Sequence, residues 1–568
     1  MLDLPSRRGA AALAVLLLWT AAVRAADTPP GYALATAHPL ATAAGAEILD
    51  EGGNAFDAAV AVSAALTVVA SQSTGIGGGG FFLLHREADG FETMVDGREV
   101  APLAATAGMF QDARGVAIAK ASRDGAKAAA IPGLPAAWAH IAQKYGTKPL
   151  ARLLMPAVRI AREGFAIEQG KADQLAENKD RFSPAAAAVW LPGGKPPAAG
   201  TVIRQPDLAA TLEAVARSGR AGFYQGPLAS MLLDGVKQGG GIWQAEDFAR
   251  YRVVERKPMQ FFFRDYRLTV PPPPSAGGVT LAQALTMLEA RGWPPADPVQ
   301  ARHEMVEVMR RAYRDRRLLG DPGFVNIPLY RLLSREHLLA QARTIRPDAA
   351  TPSESMAPAA AEGNNTTHFS ILDGAGNRVA ATETVNLEFG SGFMPPGTGV
   401  FLNNEMDDFA ASLTASNAFG LMGSAANAVA PGKRPLSSMV PTFVEGERGL
   451  LIIGGKGGSR IISQVLFGVL DFIQGGDAQH AVALRRYHHQ HLPDRVDFET
   501  GALSESEQAA LRKLGHTLRE VPAGWGLMHA VWWDKRGDRV EAAADPRGVG
   551  TGAVKLRPVE PAAAQVGR

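Results

Sequence analysis

The chain has 568 residues, 46% of them apolar and 20% charged, with a formal net charge of +2 and no cysteine. That length can bury a large core and exceeds one typical domain, while the balanced charge gives no reason to expect a nucleic-acid or anionic-membrane partner. The lack of cysteine excludes disulfides, thiol catalysis, thiolate metal sites and lipid attachment at a cysteine.

Residues 1–25 read as a secretory signal peptide: Arg7 and Arg8 form its charged start, Ala10 to Val23 its apolar run, and Val23-Arg24-Ala25 its small-residue cleavage site. The run is short for a membrane span, and an uncleaved anchor is the alternative. The mature chain is expected to begin near Ala26 in the periplasm or outside the cell. From His38, apolar residues at three and four spacings predict a helix through Ala41, Ala44 and Ile48, broken by Gly52-Gly53-Asn54; an Ala-rich helix follows to about Val69. After the glycines of residues 75–80, Phe81 to His85 reads as a buried strand, and Phe91 to Val95 as another, ending in Asp96-Gly97-Arg98-Glu99. Helical segments fill Pro132 to Ala216, including Pro135 to Tyr145 and Leu150 to Glu163. Met259 to Val270 has a strand pattern stopped by four prolines, and Leu281 to Ala290 a helical one.

Arg346 to Gly363 lacks periodicity and has the Ala/Pro/Ser/Glu composition of a flexible, protease-accessible segment. Immediately beyond it stand Thr366-Thr367-His368-Phe369-Ser370. Thr366 to Leu372 and Arg378 to Asn386 form β-like runs around Asp373-Gly374-Ala375-Gly376-Asn377, a hairpin in which paired residue numbers sum to roughly 750, so that Thr366 faces a residue near Thr384. Side-chain alternation places Thr382, Thr384 and Asn386 on one face. A Thr-rich strand start is the plain reading of Thr366. If the chain is cut before Thr366, its free α-amine, with an ordinary pKa of about 7.7–8.0, sits beside the hydroxyl and can serve as its base.

Acyl transfer by such a hydroxyl needs an oxyanion cradle and a substrate clamp. Gly454-Gly455-Lys456-Gly457-Gly458-Ser459-Arg460 follows the apolar strand Leu450 to Ile453 and precedes a helix over Ile461 to Ile473, so its N–H groups are candidate oxyanion donors. A phosphate loop and a packing turn are the alternatives, the former weakened because glycine follows Lys456. Asn403-Asn404-Glu405-Met406-Asp407-Asp408-Phe409 offers carboxylates for an ammonium group, or else is a solvated acidic turn. Arg98 with Ser437-Ser438 is a candidate carboxylate clamp. Tyr487-His488-His489-Gln490-His491 lacks a metal-binding spacing, and the cluster Arg310, Arg311, Arg314, Arg316 and Arg317 reads as a solvated helix face salt-bridged to Glu304 and Glu307.

Taken in order, Gly52 to Ala59, Gly75 to Phe81, Asp96 to Glu99, Pro272 to Gly278, Thr366 to Ser370, Asn403 to Phe409, Pro435 to Met439 and Gly457 to Arg460 closely resemble the γ-glutamyltranspeptidases, or glutathione hydrolases, of the N-terminal-nucleophile hydrolase superfamily. The resemblance implies an α+β fold, a four-layer αββα sandwich, and a precursor that cuts itself between Asn365 and Thr366 into a large subunit (26–365) and a small subunit (366–568) that stay associated. It implies that Thr366 attacks a γ-glutamyl amide, Thr384 supports it, Gly457 and Gly458 donate to the oxyanion, Arg98, Ser437 and Ser438 hold the α-carboxylate, and Asn386, Glu405 and Asp408 hold the α-amine. The expected partners are glutathione or another γ-glutamyl compound and water, an amino acid or a dipeptide as acceptor. No cofactor or metal is expected.

Three positions depart from the family pattern: Glu405 stands where bacterial members often carry Gln, Phe419 where relatives place a lid Tyr, and Lys456 where Pro commonly precedes the oxyanion glycines. The rival readings are a glutaryl-type β-lactam acylase of the same superfamily, which need not hold an α-amine, an unprocessed periplasmic binding protein, and, most weakly, a phosphate-binding ATPase.

Overall fold

A computed structural model describes residues 28–353, 366–411, 417–418, 421, 423–521 and 525–558; the expected signal peptide, Asn365 and Phe419 lie outside the described residues. Two antiparallel sheets form its centre. The larger has seven strands in the order Thr551–Leu556, Gly31–Thr36, Thr367–Leu372, Arg378–Thr384, Gly79–Arg86, Phe91–Gly97, Val254–Arg256. The smaller has six: Arg539–Ala544, Leu527–Asp534, Gly449–Lys456, Thr442–Gly446, Tyr266–Val270, Met259–Phe263. Both sheets contain strands from before and after Thr366.

Alternation along the strands sorts side chains into layers. Phe369, Ile371, Val379 and Ala381 face a helical layer that includes Ala55–Val69 and Leu150–Glu163. Leu372 and Ala380 face the second sheet, where they join Ile453 and Ala530 in one core. Helices Gly277–Ala290 and Ile461–Ile473 cover the far side of that sheet through Leu281, Leu285, Val465 and Val469. The result is an α/β/β/α sandwich, an α+β arrangement in which every strand layer is covered.

Helix Ala55–Val69 shows how the sequence sets this up. Asn54 accepts from the N–H groups of Phe56 and Asp57, and Asp57 accepts from the Asn54 N–H, closing a reciprocal cap at the point where the glycines end the preceding helix. Asp57 also accepts from Thr147 and Lys148, tying the cap to the next layer. Every residue of the helix is buried, and its Ala content lets it lie close to its neighbours.

Three expectations need correction. Met259 to Val270 is a hairpin, Met259–Phe263 paired with Tyr266–Val270, because Arg264 takes a left-handed φ of 51° and turns the chain without glycine. The segment from Arg346 is not loose as far as Ser353: the Arg346 carbonyl meets His303 Nε2, the Thr351 N–H donates to Glu307, and the Ser353 N–H donates to Asp494. The arginine cluster is salt-bridged but not solvated, since Arg310 and Arg311 share the buried Glu307 and Arg316 is itself buried.

Candidate active site

Strands Thr367–Leu372 and Arg378–Thr384 pair from Arg378–Leu372 to Glu383–Thr367, a register whose residue numbers sum to 750 and which runs on to Thr366 opposite Thr384. The tight turn is held by Asp373, whose Oδ1 accepts from the N–H groups of Ala375 and Asn377. By alternation Thr366 shares the inter-sheet face with His368 and Ser370. His368 bonds to Thr382 Oγ1 at 2.8 Å and to Ser370 Oγ at 3.1 Å, and Ser370 donates to the Ile452 and His529 carbonyls of the other sheet. Burial holds the His368 imidazole well below its ordinary pKa, so it is a neutral spacer between the sheets. Gly454 lies directly over that ring: a Cβ there would stand 2.3 Å from it, which explains a glycine in mid-strand.

Thr366, Thr384, Arg98, Asn386, Asp408, Ser437, Ser438 and Gly458 line one cavity of about 20 Å³, room for about one water. Gly457 and Glu405 do not line it. Gly457, at φ 135°, ends strand Gly449–Lys456 and begins the short turn of Gly458–Arg460 that leads into helix Ile461–Ile473. Glu405 reaches the cavity through Arg98, whose guanidinium lies 2.8 Å from Glu405, 2.5 Å from Asp408 and 3.4 Å from Glu99. Burial works against the Arg98 charge, but the three carboxylates outweigh it and hold its pKa above the usual arginine value. Burial, with Glu99 and Asp408 beside it, pushes the Glu405 carboxyl well above the ordinary range despite Arg98. Burial thus biases Glu405 toward its protonated form, while Arg98 beside it opposes that shift.

Asn386 arrives differently from the expected strand alternation. The strand ends at Thr384, and Asn386 takes a left-handed φ of 74°, with its N–H donating to Thr384 Oγ1 at 2.8 Å and its side-chain amide to the Asn404 carbonyl. Its Oδ1, like Glu405 Oε1, accepts no hydrogen bond among the described residues, while Glu405 Oε2 faces Arg98. The acidic turn is buried rather than solvated. Asn403 uses its whole amide to hold it, donating to Gly77 and Ala130 carbonyls and accepting from the Ala130 and Glu405 N–H groups.

The serine pair is set by backbone contacts with the proline-rich turn: the Ser437 N–H donates to the Pro274 carbonyl, and the Ala276 N–H to the Ser437 carbonyl, each at 2.8 Å. Ser438 Oγ accepts from Arg316 at 3.1 Å, which leaves its O–H free to donate into the cavity.

Arg316 is a cavity residue that the sequence reading placed on a solvated face. Burial lowers its pKa to about 10, so it stays charged and adds a second guanidinium beside Ser438. Two positioning residues were also missed. Asn427 donates to the Asp408 carbonyl and accepts from the Leu436 N–H, joining both halves of the clamp, and the Tyr313 hydroxyl donates to the Ser459 carbonyl in the oxyanion loop. The only sequence signal was the three-residue spacing of Tyr313 and Arg316 along one helical run. The histidine run is internal wiring, with His488 on Ser463 and His489 on Asp494.

The sequence model of Gamma-glutamyltranspeptidase matches residues 41–555. The chain belongs to that family. A glutathione hydrolase proenzyme of Pseudomonas sp. (strain A14) is 41% identical over 494 residues, 84% of this chain and 85% of the relative. Among solved structures, a cephalosporin acylase from Bacillus halodurans superposes with a TM-score of 0.81 at 28% identity, over 93% of this chain and 96% of its own. The γ-glutamyltranspeptidase of Helicobacter pylori is more similar in sequence, 40%, and matches 56% of this chain and 92% of its own with a TM-score of 0.53. The family's N-terminal-nucleophile architecture thus agrees with the sandwich described above, and both transpeptidase and acylase members share it.

Proposed function

We propose that the protein is a self-processing γ-glutamyl hydrolase and transpeptidase acting on glutathione or related γ-glutamyl compounds. Scission of the Asn365–Thr366 bond frees the Thr366 amine. That amine takes the hydroxyl proton as Thr366 Oγ1 bonds to the γ-carbonyl carbon, and returns it to the departing amine as the amide C–N bond breaks. The resulting γ-glutamyl ester passes to water or to the amine of an amino acid or peptide. In this reading Gly458, which lines the cavity, and Gly457 before it donate to the oxyanion, and Thr384 holds the Asn386 turn beside Thr366. The large and small subunits remain one body because each contributes strands to both sheets. The arginine-led apolar start of the chain supports export, and among the described residues no helix is long and apolar enough to cross a membrane.

One observation carries the choice of substrate: Arg98 is paired with Glu405 and Asp408 beside two buried acceptors, Asn386 Oδ1 and Glu405 Oε1, that have no donor among the described residues. A glutamyl group brings a carboxylate and an ammonium together. Inserted here, its carboxylate takes Arg98, Ser437 and Ser438 while its ammonium takes Asp408, Asn386 and Glu405, so that every charge stays paired. A glutaryl group brings only the carboxylate and strands Asp408. Leaving a buried charge unpaired costs about 3 kcal/mol or more, roughly a hundredfold in rate. Purified protein should therefore release chromophore from a γ-glutamyl anilide about a hundredfold faster than from the glutaryl analogue; equal rates overturn the amine clamp. End-sequencing should find a new Thr366 terminus, and Thr366→Ala should give one uncut, inactive chain.

A further inference from the structure

On the other side of the nucleophile strand lies a separate cavity of about 410 Å³, walled by the loop after helix Ala55–Val69, the start of helix Gln169–Asn178, Thr367, Lys456 and the turn at Gly548. Its size is that of a small-molecule site. Thr367 points into the helical side of the sheet by alternation with Phe369, and its buried Oγ1 has no hydrogen-bond partner among the described residues. Two lysines line the same space. Lys171 is buried, donates to the Val69 carbonyl and lies 5.0 Å from the Phe165 ring and 5.3 Å from that of Trp190; among the described residues it makes no ion pair with a carboxylate. Lys456, half-buried, has no ion pair among the described residues either.

The remaining polar groups offset this charge only from a distance. Glu168, the one acid among the lining residues, attracts both ammonium groups, and Glu388 and Asp545 act on Lys456, but none of them forms a salt bridge to either lysine among the described residues. Arg547 is already committed to Asp545 and Glu499. His38 accepts from the Leu40 N–H through Nδ1, so the proton of the neutral ring is on Nε2, a further donor. Burying ammonium groups without counter-charges is costly, and a walled cavity with an orphan hydroxyl is where a counter-ion from solution restores the balance.

We propose that this cavity binds a small oxyanion, carboxylate or inorganic, through Lys171, Lys456 and Thr367. The site is distinct from the donor clamp and does not depend on the reaction proposed above. Lys456 immediately precedes Gly457, so an anion held there also fixes the strand end from which the oxyanion loop departs.

The test uses the processed protein, with sulfate and malonate titrated separately against chloride at constant ionic strength and neutral pH. The thermal midpoint should rise saturably with millimolar half-saturation, and Lys171→Met and Lys456→Met should each weaken half-saturation at least tenfold, while Lys456→Arg retains it. A tighter response to malonate assigns a carboxylate ligand, and a tighter response to sulfate an inorganic one. Excluded salts stabilise proteins generally, so a rise equal in the parent and both Met variants refutes the site. Competitive inhibition of γ-glutamyl anilide turnover by the same anion, unaltered in the Met variants, also refutes it, because the anion is then at Arg98. If turnover is absent altogether, the midpoint series still decides the question.

Discussion

The nucleophile hairpin and the substrate clamp meet in one small cavity but are built by opposite means. The hairpin is contiguous, its register fixed by a five-residue turn and a backbone ladder, with neutral His368 and Ser370 keying it to the second sheet. The clamp gathers Arg98, Asp408 and Ser437 from three distant stretches and holds them by charge, Arg98 standing 310 positions before Asp408. Backbone geometry thus sets where the Thr366 hydroxyl stands, while the competition among one guanidinium and three carboxylates sets the charge around it. Geometry of the first kind tolerates loss of a charge; the second kind does not.

The largest expected effect follows from removing the central charge. Arg98→Met strands Glu99, Glu405 and Asp408, and breaking such a buried arrangement costs about 3–5 kcal/mol, so KM for a γ-glutamyl anilide should rise at least a hundredfold and the thermal midpoint should fall. Scission at Thr366 should nevertheless continue, as read by a denaturing gel; failure to mature would mean that clamp and hairpin are one unit. Thr384→Val acts on the other side. It leaves the Asn386 N–H without its acceptor at a cost of about 1–3 kcal/mol, and both maturation and kcat should slow about tenfold with little change in KM.

Smallest of all is the expected effect of Glu405→Gln. Because burial raises the Glu405 pKa and favours the neutral acid, the amide is its nearest substitute, and kcat/KM should stay within about threefold near neutral pH. A raised carboxyl pKa means that the charge appears only as pH increases, so parent and variant should part toward alkaline pH, where ionised Glu405 adds negative charge beside Arg98. A pH profile of kcat/KM in which the two differ most at acid pH would contradict the assignment.

Much of this was legible in the chain. The alternation of Thr367 to Leu372, the Asp373–Asn377 turn and the strand after it fix the hairpin register by local geometry alone, and the helix at Ala55 announces itself as an Ala-rich run after the break at Gly52-Gly53-Asn54. The motifs around Arg98, Glu405, Ser437 and Gly457 carried the family resemblance without showing how they meet. Where the reading failed, nonlocal packing was the reason. Arg264 turns a chain with no glycine or proline to mark it, and Arg316 looks solvated among its neighbours until helix Pro298–Asp315 and the turn after it are packed against Ser438 and Tyr313 reaches Ser459.

The sequence by itself determined the covered strands, the helix breaks and the hairpin that begins at Thr366, because periodicity and turn chemistry act over a few residues. Only the tertiary structure decided the upward shift of the Glu405 carboxyl, the place of Arg316 and the two lysines behind Thr367, because desolvation and ion pairing depend on what the rest of the fold brings within a few ångströms.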